Sequence, residues 1–397
     1  MGKRNKKEFK IYIQKAKKNI KKFDRKLNIL VALVFIGFII IICTFSILKK
    51  DKEFSEQENR NLAKNPTFTW KSYFSGDYTK EYTDYISDQF PGRSRFISIK
   101  GRIDNLLGKN EINGVYIGEE GQLIEKYKEN DKTETNMKVK AINEFLENHK
   151  SLNTSFMLIP TAGSILEDKL PKYAPIDDQL AYIKSIESLL NSDIKFINPY
   201  NDLYNNKDKY IYYKTDHHWT SEGAYIGYRT MCKELGLTPK EKEDFNIEKV
   251  SDSFYGSLSS KIGSMNVPSD EIEIYSLKDD KVVVNYVVEQ KKVPSLFSSE
   301  ALDKKDKYEV FTAGNHPLIN IETLGDPEKN LLIIKDSFAN SFIPLLTSHY
   351  GEINVVDLRY YSDDLEKLIE DREITDVIFL YNVNTFNEDD SILNINS

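Results

Sequence analysis

The chain is 397 residues long, 40% apolar and 29% charged, with a formal net charge of −7. That length and balance exclude a disordered chain, and two cysteines, Cys43 and Cys232, exclude a disulfide-stapled scaffold. Beyond residue 50 there are 41 basic against 60 acidic residues, a net −19 that argues against nucleic acid, whose binding takes clustered Lys and Arg.

Residues 1–26 carry twelve Lys and Arg against Glu8 and Asp24, and residues 27–48, LNILVALVFIGFIIIICTFSIL, hold no charge over 22 positions. At ~1.5 Å per residue such a run crosses a hydrocarbon layer of ~30 Å, so it reads as a transmembrane helix. The basic lead stays in the cytoplasm, where it meets anionic lipid heads, and the main domain is expected to be extracellular. The run is longer than the ~7–15 residues of a signal-peptide core, and no small-x-small site follows it, so the anchor reads as uncleaved and single-pass at the cell membrane. Cys43 falls within the span and Cys232 stands alone outside it, on the apolar stripe of a predicted helix, where it is expected to pack.

Residues 49–110 read as a stalk and helical lead-in, with two helices over 66–108 divided near Pro91. An α/β domain is expected over 111–397. It opens with a β-hairpin in NGVYIGEEGQLIEKY, followed by a helix at 137–150, a strand at 154–162, a helix in DDQLAYIKSIESLLNS and a strand at 194–200. Strands alternating with helices of this length predict βαβ units and a mainly parallel sheet flanked by helices. Thr220 is a suitable N-cap for the next helix, which ends at Gly236. The period then changes, and a β-rich insertion is expected at about 245–325: EIEIYSL and KVVVNYVVE as an antiparallel hairpin around KDD, and YEVFTAG as another strand. NLLIIKDSFANSFIPLLTSHYG reads as a strand over 331–334, a polar turn and a helix carrying Phe338, Phe342, Leu345 and Leu346. Two strands, INVVDL and DVIFLYNV, follow with a helix between them.

Two stretches carry chemistry. YYKTDHHWT at 212–220 concentrates an acid, two histidines and a tryptophan in a chain with five histidines. Ser337 stands at the carboxyl end of a predicted strand, where open α/β sheets gather ligands, and a helix entered there would favour an oxyanion. Serine needs a base. His218 would take its proton while Asp216 orients the ring and stabilises the imidazolium, an arrangement whose chain order varies between folds. The bland alternatives are an Asp-Ser helix cap and a histidine packed beside Trp219; His149 and His349 are assigned to helical surfaces without further role. The Asp-His-His run also raises a metal reading, but His149, His316 and His349 are scattered without carboxylates at ligand spacing, so no metal is expected.

TDHHWTSEGAY together with IIKDSFANSFIPLL resembles the bacterial DHHW protein family, which is similar in turn to the SGNH-hydrolase-like domains of the alginate O-acetyltransferase type. The resemblance covers roughly the whole exterior part, including ENRNLAKNPTF, SDQFPGRSRFI, PTAGSILEDKLP and FTAGNHPLI. It implies an SGNH-hydrolase-like fold with Asp216, His218 and Ser337 as a triad, Trp219 and His217 as motif support, and oxyanion or substrate-binding groups drawn from Phe338, Asn382, Gly314 and Asn315. The activity it implies is serine-based acyl transfer without a cofactor, O-acetylating a cell-surface polysaccharide or other glycan, with a multispanning membrane O-acyltransferase as the acyl donor. A carbohydrate acetylesterase of the same fold and a non-catalytic surface or glycan-binding protein are the alternatives.

Overall fold

The computed structural model describes residues 3–55, 60–263 and 267–396. The chain divides into two compact units, the first running to Phe96 and the second from Ile97 onward.

In the first unit the basic lead and the apolar run form one continuous helix, α1 (Lys3–Leu48), of which Lys21–Ser46 is long and apolar enough to cross a membrane. The predicted helix before Pro91 is in fact two, α2 (Trp70–Ser75) and α3 (Asp77–Asp88). They are separated by Gly76, whose φ of +89° ends α2 in the left-handed region that glycine occupies without a Cβ penalty. A further helix, α4 (Arg93–Leu106), follows Pro91.

The second unit is α/β, with a large sheet flanked by helices. A small antiparallel sheet, β1 (Glu111–Ile112), β2 (Val115–Ile117) and β3 (Leu123–Glu125), contains the predicted hairpin. Then come α5 (Lys132–Asn148), β4 (Asn153–Ile159), α6 (Gln179–Leu189), β5 (Lys195–Ile197) and α7 (Ser221–Leu235). Helix α7 is capped at both ends as the sequence suggests: the Thr220 side chain accepts from Gly223 N–H, and Gly236 is left-handed. The remaining strands are β6 (Phe245–Phe254), β7 (Asp270–Leu277), β8 (Val283–Tyr286), β9 (Lys291–Val293), β10 (Leu318–Glu322), β11 (Asn330–Lys335), β12 (Glu352–Val356) and β13 (Asp376–Asn382), with α8 (Leu365–Asp371) between the last two.

The large sheet has eight strands in the order β9-β8-β10-β12-β11-β13-β4-β5; the five from β12 to β5 are parallel, and β10, β8 and β9 add on antiparallel. Strand β11 is buried on both faces. Leu331 and Ile333 join the core cluster that contains Trp219 and Tyr228 of the α7 side, while Leu332 and Ile334 join the one that contains Val139 and Phe145 of α5. That is why LLII reads as an uninterrupted apolar run rather than an alternating one.

Three sequence expectations are corrected here. EIEIYSL and KVVVNYVVE do not pair: β7 pairs with β6 in a separate ribbon, and β8 pairs with β10 in the large sheet. YEVFTAG is not a strand but a 3₁₀ turn, Lys307–Val310, followed by Thr312 and Ala313 at φ near +55°, which an extended chain cannot adopt. The segment after Ser337 is two 3₁₀ turns, Ser337–Ser341 and Ile343–Leu345, instead of a helix. Pro344 lacks an N–H and would collide with a carbonyl one α-turn back, so an α-helix cannot run through it.

Candidate active site

The segment 212–219 is a loop pinched at its base. Tyr212 and Trp219 form an antiparallel bridge, and Tyr213 N–H donates to His218 O at 3.2 Å. Asp270, at the start of β7, holds it from below by accepting from Lys214 N–H at 2.7 Å, Thr215 N–H at 2.7 Å and the Thr215 hydroxyl. The Trp219 indole donates to Phe338 O at 2.9 Å, which fastens this loop directly to the turn that carries Ser337.

Ser337 leaves the carboxyl end of β11, whose neighbours β12 and β13 lie on opposite sides. The chain runs from β11 to β12 in one direction and then crosses to β13 in the other, a topological switch point where such sheets open a crevice. His218 Nε2 lies 2.7 Å from Ser337 Oγ, and His218 Nδ1 lies 2.5 Å from Asp216 Oδ1. Asp216 is fixed in turn by His218 N–H at 3.0 Å and by Ser257 N–H, which donates to Oδ2 at 2.8 Å. Asp216 and His218 are buried while Ser337 is half-buried, so the hydroxyl is the part of the relay that solvent or a ligand reaches.

Burial raises the Asp216 carboxyl, but the neighbouring His217 and His218 and the hydrogen bonds to His218 and Ser257 N–H win, so its pKa lies well below the usual carboxylate range. His218 is pushed the other way. Burial and then the adjacent His217 lower its pKa to about 4, against the opposing pull of Asp216, so the ring is neutral at neutral pH. With Nδ1–H donated to Asp216, Nε2 is left as the acceptor for the serine proton.

The other sequence-predicted residues fall around this relay. His217 bonds Ser257 Oγ through Nδ1 at 2.6 Å and lies 3.9 Å, ring centroid to centroid, from His218. Phe338 N–H donates to Asp336 Oδ1 at 2.8 Å, and the Asn382 backbone N–H and side-chain amide donate to Asp336 Oδ2 at 2.8 and 2.5 Å. Both are therefore spent on the carboxylate one residue before Ser337, and an oxyanion would have to compete with it for them. Gly314 O accepts from the Thr312 hydroxyl at 3.0 Å, and the Asn315 side-chain Oδ1 accepts from Lys335 Nζ at 2.7 Å and from the Asn340 amide at 3.1 Å.

Asp216, His217 and His218 each offer one ligand atom within 4.8 Å of the others. The hydrogen bonds just described already occupy Asp216 Oδ1, His218 Nδ1 and His217 Nδ1. His149 and His349 are not on exposed helical surfaces. His149 caps the end of α5, is buried, and bonds Phe145 O at 2.8 Å and Glu366 at 2.7 Å, while His349 lies in the turn before β12 with Nε2 2.7 Å from the Tyr228 hydroxyl.

Sequence reasoning missed four supports. Tyr308 stacks on His218 and its hydroxyl donates to Ser337 O at 3.1 Å. Gly256 approaches Asp216 so closely that a Cβ there would lie 2.3 Å from the carboxylate. Asp336 gathers the donors around the turn that carries Ser337, and Lys335, fully buried, pairs with Asp357 at 3.4 Å, itself bonded to Arg359. The Lys-Asp pair before the serine was a visible signal, since charged residues rarely end a buried strand unless paired. Tyr308 and Gly256 had no local signal.

The family model described as DHHW protein matches residues 124–356. The chain belongs to the DHHW protein family. A DHHW family protein from Eubacterium siraeum DSM 15702 is similar in structure, with a TM-score of 0.64 and 25% identity over 72% of this chain and 96% of the other. Bacillus cereus PatB1, solved with a sulfonyl adduct, has a TM-score of 0.59 and 22% identity over 68% and 95% of the two chains. The O-acetyltransferase domain of Pseudomonas putida AlgJ aligns with a TM-score of 0.44 and 12% identity over 69% and 92%. No curated protein matches the chain.

Proposed function

We propose that the chain is a membrane-anchored, extracytoplasmic serine acyl-transfer enzyme that O-acetylates a cell-surface polysaccharide. The observation that carries this reading is the continuous path from Ser337 Oγ through both nitrogens of His218 to Asp216, at 2.7 and 2.5 Å. In this reading α1 anchors the protein, with residues 1–26 cytoplasmic and the span near 27–48, and the α/β unit works outside.

The Ser337 oxygen attacks the carbonyl carbon of an acetyl donor as His218 Nε2 takes the hydroxyl proton. The tetrahedral intermediate collapses, and His218 returns the proton to the departing group, leaving acetyl on Ser337. A sugar hydroxyl then gives its proton to His218 and attacks the acetyl carbon, and the serine leaves with that proton. Asp216 stays ionised throughout and stabilises the imidazolium. Phe338 N–H and the Asn382 amide serve as the oxyanion donors once the substrate oxygen displaces Asp336 from them. The donor of the acetyl group on the outer side is assigned to a multispanning membrane O-acyltransferase.

PatB1 has been captured with a sulfonyl adduct, and sulfonylation is a reaction of nucleophilic side chains. The test follows that chemistry. The detergent-solubilised full chain is treated with a sulfonyl fluoride and an acetyl ester, and the modified residue is located by mass spectrometry. Labelling at Ser337 that disappears in Ser337→Ala and falls sharply in His218→Ala supports the reading; labelling elsewhere, or none, overturns it and leaves a non-catalytic surface protein. Partition of acetyl between an oligosaccharide and water then separates a transferase from an acetylesterase using the same residues.

A further inference from the structure

The first unit carries an aromatic surface that the acyl-transfer chemistry does not use. Over the short stretch PTFTWKSYFSGDYTKEYTDYISDQF, Phe68, Trp70, Tyr73, Phe74 and Tyr82 are all exposed, with Phe74 at 80% and Trp70 at 67%. No residue of α2 or α3 is buried. The rings are organised rather than scattered: Trp70 stacks on Phe74 at 6.0 Å, Phe68 meets Trp70 edge-on at 5.3 Å and Tyr78 at 5.1 Å, and Tyr78 stacks on Tyr82 at 5.7 Å. An isolated pair of helices this short would not hold such a face in water without a partner.

The position of the face names the partner. The last turn of α3 is tied to the chain immediately beyond α1: the Tyr85 hydroxyl donates to Asp51 at 3.0 Å, the Gln89 amide donates to Lys52 O at 2.9 Å, and Lys52 N–H donates back to the Gln89 side chain at 3.1 Å. The candidate span ends at Ser46, so the tether is made within a few residues of it. Tryptophan and tyrosine, with an apolar body and a polar edge, are the side chains that favour the headgroup layer next to a membrane span. Lys71, Asp77, Lys80, Glu81 and Asp84 leave these helices too charged to sink deeper.

We propose that the aromatic face of α2 and α3 lies in the headgroup layer of the leaflet from which α1 emerges, as a second and interfacial membrane contact. The proposal rests on the reading of α1 as a membrane anchor. It extends the protein's grip on the lipid from one helix to a helix plus a lateral platform.

The chain has two tryptophans, Trp70 in this face and the fully buried Trp219, so Trp70→Phe supplies the background. Full-length protein is reconstituted into phosphatidylcholine vesicles containing lipids brominated near the headgroup end of the acyl chain, and flotation checks insertion. The expected result is quenching of about half or more of the Trp70 emission, absent from Trp70→Phe. If the protein floats but Trp70 is quenched by acrylamide and not by bromolipid, the face is in water and the proposal fails. Protection from both quenchers places protein over the face, a second copy or a partner, and also overturns it. Failure to float removes the anchor itself, and the inference falls with that reading instead of on its own account.

Discussion

The ring of Tyr308 lies flat against the imidazole of His218, with centroids 3.8 Å apart and planes 7° from parallel, while its hydroxyl donates to Ser337 O at 3.1 Å. One side chain thus fixes the plane of the His218 ring and the backbone at Ser337. Tyr308→Phe keeps the stack and loses the hydroxyl's contacts with Ser337 O and Ser341 Oγ, a change of about 1–2 kcal/mol, so acyl transfer should fall several-fold. Tyr308→Ala removes the ring as well and lets water reach His218. Its rate should fall further, by roughly 10–100-fold, and its acid limb should move up toward the ordinary histidine value of about 6.5, which a purely structural loss would not cause. Steady-state ester turnover against pH for both variants checks this.

The pH profile of the unsubstituted protein follows from the neutral state of His218. Its pKa is lowered to about 4 by burial and by His217, so kcat/KM should stay level through mildly acidic pH and fall only as the pH approaches 4. The linkage to stability has the same sign. The unfolded chain takes up a proton near pH 6.5 that the folded site refuses, so this group's contribution is present above that value and is lost as the pH falls toward 4. Thermal melts across pH 4–7 should show stability declining toward acid, more steeply than in His218→Ala.

Asp306 works in the opposite direction. Burial and the nearby Asp216 raise its pKa to about 6, while its side chain accepts from Tyr308 N–H at 3.1 Å. A carboxyl with a raised folded pKa favours the fold when protonated, and that contribution is lost as the pH rises through 6. Asp306→Asn keeps the acceptor without the charge. It should raise stability at pH 7.5 by about 1 kcal/mol, or roughly 2–4 °C, and the gain should vanish below pH 4. Paired melts at the two pH values decide it.

Gly256 is at φ −82° and ψ −165°, ordinary extended backbone, so the reason for glycine there is space alone. A Cβ would meet the Asp216 side chain at 2.3 Å. Gly256→Ala should cost about 1–3 kcal/mol of stability through overpacking. It should also displace Asp216 from His218 and lower ester turnover by at least tenfold in protein that still melts cooperatively. Unchanged turnover in such folded protein would show that Asp216 has room to move.

What the sequence made legible was local. The 115–125 hairpin, the Thr220 cap and the uninterrupted β11 run depend on neighbours a few residues away, and all three are found where expected. The pairing of β7 was not legible, because its partner β6 lies upstream across a segment that contains the short helix Ser257–Lys261, while KDD offers a bend immediately downstream. The 3₁₀ turns after Ser337 should have been read from Pro344, whose effect on a helix is local. Around the relay, Asp216, His218 and Ser337 are marked by residue type, but Tyr308 meets His218 across 90 positions of chain and Gly256 meets Asp216 across 40, and nothing in their immediate sequence announces them.

Strand β13 comes last in sequence among those of the large sheet, yet it is inserted between β11 and β4. Its final residue, Asn382, clasps Asp336 beside Ser337. Until residues 376–382 are delivered, β4 and β5 have no lateral connection to the strand that presents Ser337. A chain supplied in sequence order therefore completes the sheet around Ser337 only when this last strand arrives. A truncation just short of Asp376 would keep Asp216, His218 and Ser337 and still lack the strand that joins the two parts of the sheet, so the proposed acyl transfer should be lost with it.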